Sequence, residues 1–178
     1  KRLKNVVSDC LAKQALALLG ANIRTACSAP DNLEARSDML LGSMLAGMAF
    51  TNAPVAAVHA LAYPLGGHFH IPHGHSNALV LPYVMEFNMP DAKGMYEELA
   101  PIISPELGRS KDPSTGLVEM FKALGPELGM QSRLSELGIG HNHLPKLAED
   151  AMKQERLLIN NPREMTYEAA LAIYESAL

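Results

Sequence analysis

The 178-residue chain has no tryptophan, 5% aromatic residues and two cysteines, Cys10 and Cys27. A pair of cysteines is too few for a disulfide scaffold, and these two sit too far apart in one predicted helix to be bridged without breaking it. Each therefore reads as a small buried hydrophobe. Basic charge is not in excess: the formal net charge is -4, and no Arg/Lys cluster is interleaved with aromatics, which disfavours nucleic acid as a partner. Apolar runs are interrupted by polar, Pro or Gly positions well short of ~20 residues, so no segment is expected to cross a membrane. Lys1-Arg-Leu-Lys4 is basic, but no signal-peptide cleavage pattern follows it, and a cytoplasmic address is the expectation. Neither G-x-x-x-x-G-K-[ST] nor G-x-G-x-x-G occurs, which removes the glycine-based phosphate cradles. Strand-like alternation is missing, and Val, Ile and Thr do not cluster as in a sheet.

What remains is helical periodicity. Hydrophobic residues make up 48% of the chain, enough for a real core in one domain or a compact pair of helical subdomains. Spacings near three and four predict a helix from Val6 to about Ala26 and a second from about Leu33 to Phe50, capped by Asp31 or Asn32. In the second, Met39, Met44 and Met48 read as core filling, and Gly42, Ala46 and Gly47 as notches for a close neighbour. Helical segments are further predicted from about His75 to Asn88, Ala92 to Ile103, Leu117 to Leu128 and Leu144 to Leu157. Thr166 is the expected cap of a last helix to Leu178. Breaker-rich stretches at 104–116 and 135–140 read as a surface loop and a turn. The fold class is all-α.

Five of the seven histidines fall within His59–His75. His59 lies in a run of helix formers, Ala53-Pro-Val-Ala-Ala-Val-His-Ala-Leu-Ala62, and Pro64 with Gly66-Gly67 reads as helix exit and turn. His73 follows at Pro72-His73-Gly74. Gly66, Gly67 and Gly74 are expected to supply positive φ or close approach at the corner. Two imidazoles held at a helix and at the neighbouring corner can converge on one metal ion, but a catalytic divalent metal takes three or more protein ligands. His68, His70 and His75 read as surface, supporting or capping residues, and His141 and His143 as loop or capping residues. Phe50 and Tyr63 are candidates to line a pocket. Asn161, Pro162 and Arg163 read as a structural redirection of the chain.

The spans Leu45-Ala-Gly-Met-Ala-Phe-Thr-Asn-Ala53, Val58-His-Ala-Leu-Ala-Tyr-Pro-Leu-Gly-Gly67, Ile71-Pro-His-Gly74 and Asn77-Ala-Leu-Val-Leu-Pro82 strongly resemble the signature of the iron-containing (group III) alcohol dehydrogenases. Asn160-Asn-Pro-Arg-Glu-Met-Thr-Tyr-Glu-Ala-Ala170 resembles the way that family ends. The resemblance implies that residues 1–178 form the helical, metal-binding C-terminal domain of a dehydroquinate synthase-like fold. It further implies that the chain is a fragment lacking the N-terminal nucleotide-binding domain.

In that family one aspartate and three histidines hold a divalent metal, and the last two histidines match His59 and His73. The aspartate and first histidine belong to an Asp-x-x-x-His segment, which these 178 residues do not contain. The implied cofactors are Fe(II), with Zn(II) as the alternative, and NAD or NADP; the implied substrates are small alcohols, aldehydes or ketones. Tyr63 stands where many members carry a histidine linked with proton relay, on the same helix face as His59. Tyrosine donates and accepts hydrogen bonds but, with an unperturbed pKa near ~10, relays protons poorly at neutral pH. Maleylacetate reductases are similar, but tend to carry Pro-His-Ala in place of Pro72-His73-Gly74. Glycerol dehydrogenase-like proteins match less well. A catalytically empty helical binding module is the remaining alternative. The isolated chain is expected to bind Fe(II) or Zn(II) weakly if at all, to be inactive as a dehydrogenase, and to expose an apolar face prone to dimerisation or aggregation.

Overall fold

A computed structural model describes residues 5–178; the basic run at 1–4 lies outside them. The described residues are helical and contain no strand, in agreement with the all-α expectation. The α-helices are α1 (Val6–Ser28), α2 (Leu33–Asn52), α3 (Ala57–Phe69), α4 (His73–Ile103), α5 (Pro113–Glu127), α6 (Leu144–Met152), α7 (Glu155–Leu158) and α8 (Tyr167–Ala177), with 3-10 turns at Pro105–Arg109, Leu134–Leu137 and His141–His143. The chain forms two compact units, one of residues 5–54 and 93–117 and one of residues 55–92 and 118–178, with the divisions falling inside α4 and α5 and between α2 and α3.

In the first unit α1 and α2 pack lengthwise. Asn5 opens α1 with a capping box, its Oδ1 accepting from the Ser8 amide at 3.0 Å while Ser8 Oγ accepts from the Asn5 amide at 3.2 Å. Asn32, not Asp31, caps α2 by accepting from the Ala35 amide at 3.0 Å. Gly42 is the notch that the sequence suggested: a Cβ there would lie 2.9 Å from Leu19 Cγ. Gly47 is not a notch, since it faces open space. Met44 and Met48 stand exposed with Leu40, and Cys10 and Cys27 are exposed free thiols, so the readings of the methionines and cysteines as buried are corrected. By length and composition α1 is also apolar enough to cross a membrane, contrary to the reading of interrupted runs; an uninterrupted 23-residue helix averages over its polar positions.

The second unit holds the larger core, built from α3, the start of α4, α6 and α8 around Leu61, Leu65, Val80, Leu144, Leu147 and Tyr174. Here the predicted exit at Pro64 and Gly66-Gly67 is wrong. Helix α3 continues through all three to Phe69. A proline inside a helix removes one backbone hydrogen bond and costs about 3 kcal/mol, and each glycine about 1 kcal/mol. Burial of Pro64 and Leu65 opposes that cost, and so does Tyr174, whose hydroxyl donates to the Leu61 carbonyl at 2.6 Å beside the proline. None of Gly66, Gly67 and Gly74 has positive φ; His70 takes the left-handed position, φ 55°, that closes α3. The break predicted at Met89-Pro90 is absent too, and α4 runs unbroken for 31 residues. The helix predicted over 144–157 divides into α6 and α7.

The segment after α7 is structural, as expected. Asn160 Nδ2 donates to the Val55 carbonyl at 3.2 Å, Asn161 and the buried Asn88 exchange amide hydrogen bonds at 2.7 and 3.0 Å, and Arg163 donates to the Phe87 carbonyl at 2.8 Å. These bonds hold the approach to α3 and the middle of α4 from one short stretch of chain.

Candidate metal centre

Helix α3 is buried along Ala57, Ala60, Leu61, Ala62, Pro64 and Leu65, which leaves one face open. His59, Tyr63 and Gly67 recur on that face at the four-residue spacing of a helix. Tyr63 is 42% exposed, and the position of Gly67 opens onto free space. The left-handed cap at His70 turns the chain so that α4 begins at His73, and the His73 ring comes back over the open face. Ring centres lie 5.2 Å apart for His59 and His73, 6.4 Å for His59 and Tyr63, and 6.1 Å for Tyr63 and His73. All three residues singled out from the sequence therefore meet.

Three of the other five histidines are held elsewhere. His68 Nε2 pairs with Asp150 Oδ2 at 2.7 Å, His75 Nε2 donates to the Gln131 carbonyl at 2.7 Å, and His143 Nδ1 accepts from the Gly140 amide at 3.0 Å with its ring against Phe69. Hydrogen bonds from Lys153 first, then His68 and Lys146, hold the Asp150 carboxyl well below the usual carboxylate range. The His68–Asp150 pair ties the end of α3 to α6, beyond the open face.

Two residues near the site escaped the sequence reading. Asn77 lies one helical turn after His73, a spacing that could have flagged it; its Nδ2 is 2.9 Å from the His73 carbonyl oxygen and 3.2 Å from His73 Nε2. Tyr174, 113 residues from its partner Leu61, had no local signal.

Two imidazoles that share one ion with nitrogen–metal bonds of about 2.1 Å have ring centres roughly 5 Å apart, so the separation of His59 and His73 suits a common metal. The Asn77 Oδ1, on the residue one turn after His73, is buried without a hydrogen-bond partner. The fit is that of part of a site: among the described residues no three His, Cys, Asp or Glu side chains gather to hold an ion.

This geometry coincides with a match over almost the whole chain. A model of the C-terminal part of the Fe-containing alcohol dehydrogenase family covers residues 2–178. The chain belongs to the iron-containing alcohol dehydrogenase family. It is 41% identical over 175 residues to long-chain-alcohol dehydrogenase 1 of Geobacillus thermodenitrificans (strain NG80-2), covering 96% of the chain and 44% of that protein. The crystal structure of a 1,3-propanediol oxidoreductase superposes with a TM-score of 0.93 at 32% identity, over 99% of this chain and 47% of that one. Sulfoacetaldehyde reductase from Bifidobacterium kashiwanohense, solved in complex with NAD+, gives 0.84 at 28% identity, over 97% and 44%. The chain thus spans about half the length of the iron-containing dehydrogenases that it matches.

Proposed function

We propose that the chain supplies two ligands, His59 and His73, to the divalent metal of an NAD(P)-dependent dehydrogenase that interconverts small alcohols with aldehydes or ketones. The observation that carries this reading is the approach of the His59 and His73 rings to 5.2 Å over the single open face of an otherwise buried helix. Membership of the family, and a structural relative solved with NAD+, support it. In this reading the chain is the helical metal-binding C-terminal domain, and the remaining ligands and the nicotinamide site belong to the half of the relatives' length that it does not span.

A bound divalent ion, Fe(II) or alternatively Zn(II), supplies Lewis-acid polarisation of a substrate oxygen, and a nicotinamide supplies the hydride partner. The chain's own residues bind and orient. His59 is carried on a helix whose remaining faces are packed, so its backbone position is fixed. His73 is fixed by the α3–α4 corner. Tyr63 places a phenolic O–H on the same face, where it can donate to or accept from a substrate oxygen. A non-catalytic binding module is the second reading, favoured by the lack of a three-residue donor group among the described residues.

The two readings separate in one assay. NAD(P)H formation from primary alcohols is measured for the protein that carries this chain, loaded with Fe(II) or Zn(II), beside His59→Ala and His73→Ala. Turnover that either substitution abolishes is the expected result. No turnover with any alcohol, metal or cofactor form overturns the dehydrogenase reading in favour of the module.

A further inference from the structure

Asn77 faces His73 from the next turn of α4, and its hydrogen bonds fix more than the ring's orientation. A carbonyl oxygen only accepts, so the Asn77 atom 2.9 Å from the His73 carbonyl oxygen is the amide nitrogen, donating. The same nitrogen is 3.2 Å from His73 Nε2. An amide nitrogen carries two hydrogens and accepts none. Nε2 must therefore be the acceptor in that second bond, which makes it the unprotonated nitrogen and leaves the ring proton on Nδ1. The amide cannot turn over to change this, because its oxygen would then face the His73 carbonyl oxygen. The orientation is kept although Asn77 Oδ1 is buried without a partner.

We propose that Asn77 is a positioning residue that holds His73 in the Nδ1–H tautomer, which leaves Nε2 as the ring nitrogen able to ligate a metal. A histidine ligates through an unprotonated nitrogen, and which nitrogen that is depends on the hydrogen bonds of the ring. With no ion bound, the amide N–H occupies the Nε2 lone pair and keeps the ring in place. A metal on Nε2 would take the place of that N–H, and the bond to the His73 carbonyl would keep Asn77 in position. The inference rests on the reading of His73 as a ligand, but the tautomer itself is a property of the chain alone.

The test is two-bond proton–nitrogen correlation NMR of the His73 ring in the metal-free chain, with Asn77→Ala and Asn77→Leu as variants. Wild type is expected to show Nδ1 protonated and Nε2 free. Asn77→Ala should give a mixture of tautomers. Asn77→Leu keeps similar bulk but has no N–H to donate, so it should give the same mixture; a merely structural role for Asn77 would leave the wild-type tautomer in place. A protonated Nε2 in wild type, or a wild-type pattern kept in Asn77→Leu, would overturn the proposal. If the tautomers behave as stated but Zn(II) added to the protein that carries this chain leaves the His59 and His73 resonances untouched, the metal reading of the site fails while the Asn77–His73 bond stands.

Discussion

The two units of this chain draw on similar apolar sequence and use it in opposite ways. In residues 55–92 and 118–178, Leu, Ile, Val and Tyr side chains converge on one core, and the helix bearing His59 is its centre. In residues 5–54 and 93–117 the buried hydrophobics are mostly alanines, Ala15, Ala35, Ala49 and Ala100, while Leu40, Leu41, Met44, Met48 and Phe50 stand on the surface of α2. Gly42 lets Leu19 of α1 seat closely against α2, and the large side chains of the outer stripe of α2 point outward. The lesson is that a high apolar content does not itself locate a core. What locates it is which positions carry the large residues, and the candidate metal pair sits where they are buried.

The sharpest way to break this comparison is to truncate one large residue in each region. Leu61→Ala and Leu65→Ala, both fully buried in α3, should cost about 2–5 kcal/mol each in urea denaturation. Leu40→Ala, at a position 74% exposed, should stay within about 0.5 kcal/mol. Comparable losses at the two sites would mean that the outer face of α2 is covered in solution.

A smaller effect is expected at Tyr174. Tyr174→Phe keeps the ring in the core and removes only the hydrogen bond to the Leu61 carbonyl, with an expected cost of about 1–3 kcal/mol. Burial pushes the Tyr174 phenol well above its ordinary range, so it stays a donor at any working pH. If the bond steadies α3 at Pro64, amide exchange of Leu65 and Gly66 should quicken in the variant more than exchange in α6. Uniform quickening would assign the hydroxyl to general core packing.

How much of this was legible beforehand follows a physical line. Helix starts were readable where a side chain caps them, as at Asn32 and Thr166, because the signal is local. The pairing of His59 with His73, and the place of Tyr63 beside His59, were legible from helical spacing and from the family signature. The course of α3 was not. Pro64, Gly66 and Gly67 are local breakers, and what overrules them is burial together with a hydroxyl from α8, neither of which a short window of sequence contains. Met44 and Met48 failed in the converse way: helical periodicity showed a stripe but not which side of the helix would be covered. Asn77 lay in plain view at the right spacing from His73, yet a single asparagine carries no signal until its partner's geometry is known.

Acid should distinguish the units more gently. In the first unit Asp112 accepts from Ser114 Oγ at 2.6 Å, Thr115 Oγ1 at 2.8 Å and the Thr115 amide at 3.2 Å, at the start of α5. These bonds, the Ser114 hydroxyl first, lower its carboxyl from 3.8 to about 2. A depressed folded-state pKa means that the contribution is complete above about pH 4 and is lost as pH falls toward 2. Asp112→Asn should therefore flatten part of the decline in stability over that window and leave stability at pH 7 lower than wild type. In the second unit Asp150 is depressed further by Lys153, His68 and Lys146, so its share should persist to lower pH. An unaltered acid limb in Asp112→Asn would mean that Asp112 is equally well bonded in the unfolded chain.

The least effect on stability, and the clearest on association, is expected from the outer face of α2. Leu40 and Met44 are one turn apart and more than half exposed, and Met48 continues the same stripe. Contiguous apolar surface of this kind drives association in water. Leu40→Lys combined with Met44→Lys removes two apolar side chains from the stripe, adds two like charges to it and alters no described buried contact. Melting should stay within about 0.5 kcal/mol of wild type, while light scattering at rising concentration should show less self-association. If the double variant associates as strongly as wild type, the stripe is not the contact. If it unfolds instead, the side chains are covered after all, and the contrast between a packed site-bearing unit and an open helical pair has to be redrawn.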